Sequence, residues 1–504
     1  MIVLLWTDVA LALLLLGAGA YAWRARRSPA LRAAWARVAR DTPAMCAAVV
    51  LAAFAAVGVL DSIHYRPLLP PAAGAPEGAA PAYAPAVRSV LDALLAGSAL
   101  AHPEKTYSAP LALRQFTKET MLVDGQPVRD FPRLAFSGRH LDDPDAQWAA
   151  DMSKRLLAGL AAGALAAALA AALLAAGLAR RRPSWRAAWA DLAAGRTAMP
   201  WRPMLATFAA LCLLAGALGG LATGYHPLGT DRTGNDILWQ ALKSVRTALI
   251  IGSLTTLAML PPAMLFGIAA GYFKGRVDDV IQYLYTTLTS IPGVLLIAAC
   301  VLMMQVYIDS HAELFQTAAQ RADLRLFLLC MIMGLTGWAG LCRLLRAETL
   351  KLRELEYVQA ARAFGVSHWR IMRRHLLPNV MHIVLITAVL EFSGLVLYEA
   401  VLSYLGIGVD PTMNSFGSMI DMARLEMSRD PMIWWNLLTA FLFMLALVLA
   451  ANLFADAVRD AFDPRTRRLR PAGAAGGMGA AGAPGAGAAV WPASAAGDGG
   501  EGGR

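Results

Sequence analysis

The chain has 504 residues and a net charge of +10, with 58% hydrophobic and only 16% charged residues. Soluble domains carry about 25% charge, so this composition argues against both a soluble globular protein and a disordered one. The arginines gather in short stretches between apolar runs, a pattern that orients membrane spans, so the basic balance does not point to nucleic acid.

A helix needs about 20 apolar residues to cross the hydrocarbon of a bilayer. Nine stretches qualify in chain order, at about 2–22, 43–60, 156–179, 204–224, 247–272, 280–304, 326–345, 380–402 and 433–453. The first lacks a basic segment before it and reads as a retained anchor with its N-terminus outside. Segment 24–41 carries six Arg against one Asp, 180–203 again six Arg against one Asp, and 343–376 eight basic residues against three Glu. These stretches predict cytoplasmic loops, as does the arginine-bearing segment after 456. Segment 61–154 holds more acids than bases and turn-rich pieces such as Pro67-Leu68-Leu69-Pro70-Pro71, and is expected outside. Residues 471–504 are mostly Gly, Ala and Pro and read as a disordered cytoplasmic tail.

One motif recurs. Arg32-Ala33-Ala34-Trp35-Ala36 returns as Arg186-Ala187-Ala188-Trp189-Ala190, each copy in a basic loop between two spans. The span after each copy leads to a His/Tyr and Pro-Leu element, His64-Tyr65-Arg66-Pro67-Leu68 and Tyr225-His226-Pro227-Leu228. Partial duplication of an entry helix pair explains the pattern, with each Trp at the inner interface and the arginines toward anionic lipid. Chance similarity in Ala- and Arg-rich sequence is the alternative.

No phosphate-binding GxxxxGK[ST] loop, GxSxG elbow or HExxH helix occurs. The five Cys show no CxxC spacing, and no two His lie three or four residues apart. No catalytic residue, cofactor or metal is therefore expected. The informative segment is 346–378, where Val358, Ala361 and Phe364 recur at helical spacing. Ala360 and Ala361 would let another surface approach closely, Gly365 suits a helix C-terminal turn, and Pro378 suits the first turn of the next helix. Such a short helix needs a partner surface, or else rests on lipid.

This segment, Glu356-Tyr357-Val358-Gln359-Ala360-Ala361-Arg362-Ala363-Phe364-Gly365 with Leu377-Pro378 beyond it, resembles the Glu-Ala-Ala loop of ABC importer permeases. Residues 180–464 as a whole resemble the C-type permease subunit of dipeptide/oligopeptide importers. The matching stretches are His226-Pro227-Leu228-Gly229-Thr230-Asp231, Gly271-Tyr272 with Asp278, Ser290-Ile291-Pro292, Glu399 to Gly408, Phe416-Gly417, and Asn452-Leu453 through Asp463-Pro464. Gln359 stands where the family loop usually has Glu, and Asn235 where it often has Arg.

The apolar runs give an all-α polytopic membrane protein with about nine transmembrane helices, and the resemblance implies the bacterial inner membrane and a type-1 importer core formed by six of them. The expected division is 1–60 as an accessory helix pair, 61–154 as an extracytoplasmic region and 155–179 as an accessory transmembrane helix. The permease region follows at 180–464, its core at about 245–456, and the tail at 465–504. Implied partners are a second permease subunit, two ATPase subunits, an extracytoplasmic solute-binding protein and membrane lipid. Gln359, Ala360, Ala361, Gly365, Leu377 and Pro378 would form the ATPase-coupling loop. Because the six-span core begins near Arg180, the first 179 residues are expected to be dispensable for the pathway.

Within the span 380–402, Glu391 shares a helical face with Thr387, Gly394 and Tyr398. An acidic residue there costs about 2.5–3.5 kcal/mol on insertion, which places this stripe on the pathway or against another helix. Two other classes compete with the importer reading. An ion-coupled secondary transporter would show repeats across its whole pathway, and a membrane-anchored sensor would use 61–154 as its receptor.

Overall fold

The computed structural model describes residues 2–69, 83–84, 86–123, 126–180, 184–311, 313, 315 and 317–462. The tail expected at 465–504 lies outside the described residues. Among the described residues the helices are Trp6–Arg27 (α1), Pro29–Val38 (α2), Thr42–Asp61 (α3), Val90–Leu95 (α4), Pro144–Ala179 (α5), Trp185–Ala193 (α6) and Trp201–Ala222 (α7). They continue with Ile237–Phe273 (α8), Arg276–Ser290 (α9), Gly293–Ser310 (α10), Ala318–Gly337 (α11), Ala339–Arg353 (α12) and Glu356–Ala363 (α13). His368–Ile371 (α14), Leu377–Tyr404 (α15), Phe416–Glu426 (α16) and Trp435–Phe462 (α17) complete the set. Strands are few and short. Ile2–Val3 (β1), His64–Tyr65 (β2) and Arg88–Ser89 (β3) pair antiparallel in that order, and Glu119–Val123 (β4) pairs with Gln126–Asp130 (β5) as a hairpin.

Eight of these helices are long and apolar enough to cross a membrane, and α11 with α12 makes a ninth, bent by 40°. Helices α5, α8 and α17 run beyond the stretches read from the sequence, and two further spans differ. The sixth is α10 at 293–310, not 280–304. Asp278, Asp279 and a threonine-rich end make α9 amphipathic, and Ile291-Pro292 breaks the chain before α10. The seventh runs on through α12 to Arg353, because Leu341, Cys342, Leu345 and Thr349 continue a buried stripe against α8. The loop expected at 346–378 therefore shrinks to the stretch around α13.

Alternation of the spans puts residues 2–5, the described residues of 62–143, 223–236 and 405–434 at one end of the bundle. Pairing of β1 with β2, and hydrogen bonds from Ser108 and Leu111 to Thr230 and His226, hold that end together. Residues 28–41, 184–200 and 354–376 lie at the opposite end.

The duplicated motif is duplicated structure: α1–α2–α3 and α5–α6–α7 are each span, short helix, span. In the second copy the spans nearly touch. A Cβ on Gly159 would lie 2.1 Å from the Gly216 carbonyl oxygen, and one on Gly216 2.3 Å from that of Gly159. The two Trp copies differ in their surroundings. Trp35 packs on Phe454 and Phe462 of α17, and Arg37 donates to the Ala461 carbonyl. Trp189, its counterpart, is partly exposed beside Trp185.

The described residues up to Phe462 form one compact unit. Helix α3 packs against both α8 and α17, so the N-terminal helix pair shares the packing of the core.

Candidate functional site

Helix α13 is held from below and bare above. Its Val358 is buried and Ala361 half-buried on a cluster built by Tyr272 of α8, Cys342 and Leu345 of α12, and Ile371 and Leu376 beyond. Phe364 does not continue that stripe. The helix has ended by then, and the ring stands 86% exposed. Tyr357, Leu355 and Trp369 (61% exposed) stand uncovered nearby. Gln359, Ala360 and Gly365 are also exposed. The outer side of α13 and its flanks thus carries several uncovered apolar groups.

The turn after α13 depends on Gly365. Its φ is +70°, a region that side chains rarely adopt, and its N–H bonds to the Arg362 carbonyl at 3.1 Å. The chain then turns through α14 and a π-helical stretch, Met372–Leu376, into α15. Leu377 is half-buried on the same cluster, and Pro378 sits exposed in the first turn of α15. The Gln359 amide Nε2 donates to the Glu354 carbonyl at 3.1 Å, closing the end of α12. A glutamate could not make that bond, because an ionised carboxylate only accepts.

Charged and polar pairs brace this surface from the core side. Arg346 of α12 binds Asp278 of α9 with two bonds of 2.6 and 2.7 Å, and the guanidinium holds the Asp278 carboxyl below its usual range. Arg353 donates to the Tyr272 carbonyl at 2.8 Å, the Tyr272 hydroxyl meets His368 Nδ1 at 2.8 Å, and Lys274 meets Glu354 at 3.0 Å. Lys274 holds the exposed Glu354 carboxyl down. Asp278 and Tyr272 stood in a recognised motif. Their partners Arg346, Arg353 and His368 were missed, because pairing across 68 to 96 residues leaves no local spacing to read.

The stripe around Glu391 divides. Glu391 and Gly394 are exposed on the α15 surface, and Thr387 is half-buried. Tyr398 joins the apolar cluster of Ile250, Val301 and Leu329. The opposite face of α15 packs on α17, where Ser393 donates to Asn452 at 2.5 Å.

The far end of the bundle is closed by buried charge. Arg246 of α8 donates to Asp8 at 2.7 Å and Thr7 at 2.8 Å, and lies 3.5 Å from Asp323 of α11. Thr7 in turn donates to Asp323 through both its N–H and its hydroxyl, and His64 Nδ1 meets Asp8 at 2.7 Å. A second knot joins the 99–143 segment to the α8 N-terminus. His226 Nδ1 is 2.8 Å from Asp236 and its Nε2 3.5 Å from Glu104, whose carboxylate accepts the N–H groups of Ala135, Phe136 and Ser137.

Burial of His226 opposes its charge, but the two carboxylates outweigh it and lift the imidazole from 6.5 to about 9. The raised value means that this knot contributes its full stability below about pH 6.5 and loses it as pH rises through about 9. Segment 104–137 is therefore expected to loosen between pH 7 and 9.5, read as faster hydrogen exchange there than in α17. His226→Gln should flatten that dependence, and an unchanged pH profile in the variant would assign it to other groups.

A bundle of eight spans, or nine with α11 and α12 counted as one, with a short helix exposed at one end defines a polytopic membrane protein. Comparison with known proteins gives the same class. The sequence profile of the binding-protein-dependent transport system inner membrane component matches residues 263–468. The oligopeptide transport system permease protein OppC of Haemophilus influenzae is 30% identical over 244 residues, covering 48% of this chain and 72% of that one. OppC of Mycobacterium tuberculosis is 33% identical over 245 residues, covering 49% and 78%. The glutathione transport system permease protein GsiD of Pectobacterium atrosepticum is 31% identical over 242 residues, covering 48% and 73%.

The chain belongs to this family, and is a multi-pass inner-membrane permease subunit of an ATP-binding-cassette importer. Members work with ATPase subunits and a binding protein. The family assignment supports neither the secondary-transporter nor the sensor reading.

Proposed function

We propose that this chain and a second permease subunit form the translocation pathway of a peptide importer, with two ATPase subunits on the α13 end. The observation that carries the coupling role is the uncovered Phe364 beside the left-handed Gly365, on a helix whose other face is locked into the core. Gln359, Ala360, Ala361 and Gly365 form the docking element, with Leu377 and Pro378 fixing the exit into α15. Nucleotide-driven closure of the ATPases would move α13, and the Arg346–Asp278 and Arg353–Tyr272 braces would pass that motion to α8, α9 and α12.

Peptides are the favoured solutes because the relatives are oligopeptide and glutathione permeases by name. The arginine-rich loops around α2, α6 and α13 favour a cytoplasmic position, which puts the N-terminus and residues 62–143 outside. Residues 180–464 then supply the permease region, and 1–60, 61–154 and 155–179 the accessory parts. Glu391, exposed at span depth, faces the second permease subunit or the pathway between the two, with Thr387 beside it and Tyr398 anchoring the next turns.

The test is purification of the tagged chain from cells that express its genetic neighbours. ATPase and second permease subunits should co-purify, and peptide with binding protein should stimulate ATP hydrolysis in proteoliposomes. A chain that purifies intact without any ATPase subunit would sink the reading.

A further inference from the structure

A recess of about 310 Å³ opens at the N-terminal end of the bundle, between the end of α10, the start of α11 and the 410–412 turn. Small-molecule sites begin at about 300 Å³, so the recess suits a ligand of a few heavy groups. Its walls carry two cations and two anions. Arg321 and Arg325 project from one face of α11, one helical turn apart, and Asp309 of α10 and Asp410 of the turn stand opposite.

The four groups differ in how far they are committed. Asp410 is buried, and its Oδ1 accepts from the N–H and hydroxyl of Thr412 at 2.9 and 2.7 Å. Its Oδ2 takes Arg325 at 3.2 Å, and the other terminal nitrogen of Arg325 reaches Gln305 at 2.9 Å. The Arg325 side chain is 12% exposed, so this half of the recess is built and rigid. Arg321 and Asp309 are about half exposed and meet only at 4.0 Å, too far for a hydrogen bond. One loosely paired cation and one loosely paired anion thus face the cavity over a fixed Arg–Asp floor.

From this geometry we infer that the recess binds a small zwitterion, the free carboxylate end at Arg321 and the free ammonium end at Asp309. A guanidinium offers a carboxylate two parallel donors, and a carboxylate accepts from an ammonium. The charges of the recess cancel, which disfavours a purely anionic or purely cationic ligand and suits one that carries both ends. The inference rests on the peptide reading and deepens it: the recess would sort peptides with free termini at the entrance to the pathway. Arg325 and Asp410 position the site by fixing the 410–412 turn against α11.

The experiment uses the complete transporter in proteoliposomes with a dipeptide, its N-acetyl form and its C-terminal amide. Arg321→Gln is expected to raise the KM for the free dipeptide and the N-acetyl form about fivefold to tenfold and to leave the amide unchanged. Asp309→Asn should do the same for the free dipeptide and the amide, and leave the N-acetyl form unchanged. Equal KM values for wild type and both variants would overturn the inference, and so would a uniform loss for all three forms, which marks a structural role. A wild-type transporter that takes up no peptide form at all would instead sink the peptide reading, a result distinct from both.

Discussion

Phe364→Ser is expected to lower solute-stimulated ATP hydrolysis of the assembled transporter at least tenfold, while the chain inserts in normal amount. The ring is 86% exposed, so its loss costs the fold little. Buried at the ATPase interface, an aromatic anchor of this kind contributes about 2 kcal/mol or more, or roughly thirtyfold in affinity. Gly365→Pro attacks the same surface through the backbone. Proline fixes φ near about −65° and has no N–H, whereas Gly365 sits at +70° and donates to Arg362. The turn must open, and α13 must swing off its cluster. Ala361→Glu drives a carboxylate toward the packed face beside Val358 and should lift the helix from below. The three variants fail by different routes, so normal coupling in all three would remove α13 from the ATPase contact.

Helix α13 and its turn were legible because their signals are local: an apolar spacing of three, two alanines, a glycine and a later proline. Gly365 falls in the left-handed turn that this reading gave it. Phe364 shows the limit of the same reasoning. Its spacing from Ala361 fits a buried stripe, but the helix ends before the ring is reached, and helix ends are set by turn chemistry that periodicity does not contain. The spans were legible for the same reason, being runs of one kind of residue. The α9–α10 break was harder, since the apolar residues of amphipathic α9 run into those of α10 and only Ile291-Pro292 marks the boundary. What could not be read was everything that joins distant segments. Nothing near Arg246 announces Asp8, 238 residues away, and nothing near Glu104 announces His226. The six-span resemblance beginning near Arg180 made the first 179 residues look separable, and only the packing of α3 and the buried charges show how they are tied to the core.

Those charges make the second large effect. Arg246→Met should destabilise the chain by about 3–5 kcal/mol, the usual cost of leaving a buried charge without its partner. Arg246, Asp8 and Asp323 are all buried, and the guanidinium is the one cation within reach of both carboxylates among the described residues. The fall would be read as a drop of about 5 °C in the Tm of the purified transporter in detergent. Arg246→Met combined with Asp8→Asn and Asp323→Asn should recover most of that loss, because it removes the unpaired charges and not merely the cation. A chain beginning at residue 180 meets the same physics. It keeps Arg246, Asp323 and His226 but discards Thr7, Asp8, His64 and Glu104, so it is expected to insert poorly or assemble with lowered stability, against the dispensability that the extent of the resemblance suggests. Adding Asp323→Asn and Arg246→Met to the truncated chain should then improve it. A truncated chain as stable as the full one, together with a Tm for Arg246→Met within about 1 °C of wild type, would mean that water or lipid satisfies this network and that the N-terminal helices are a true appendage.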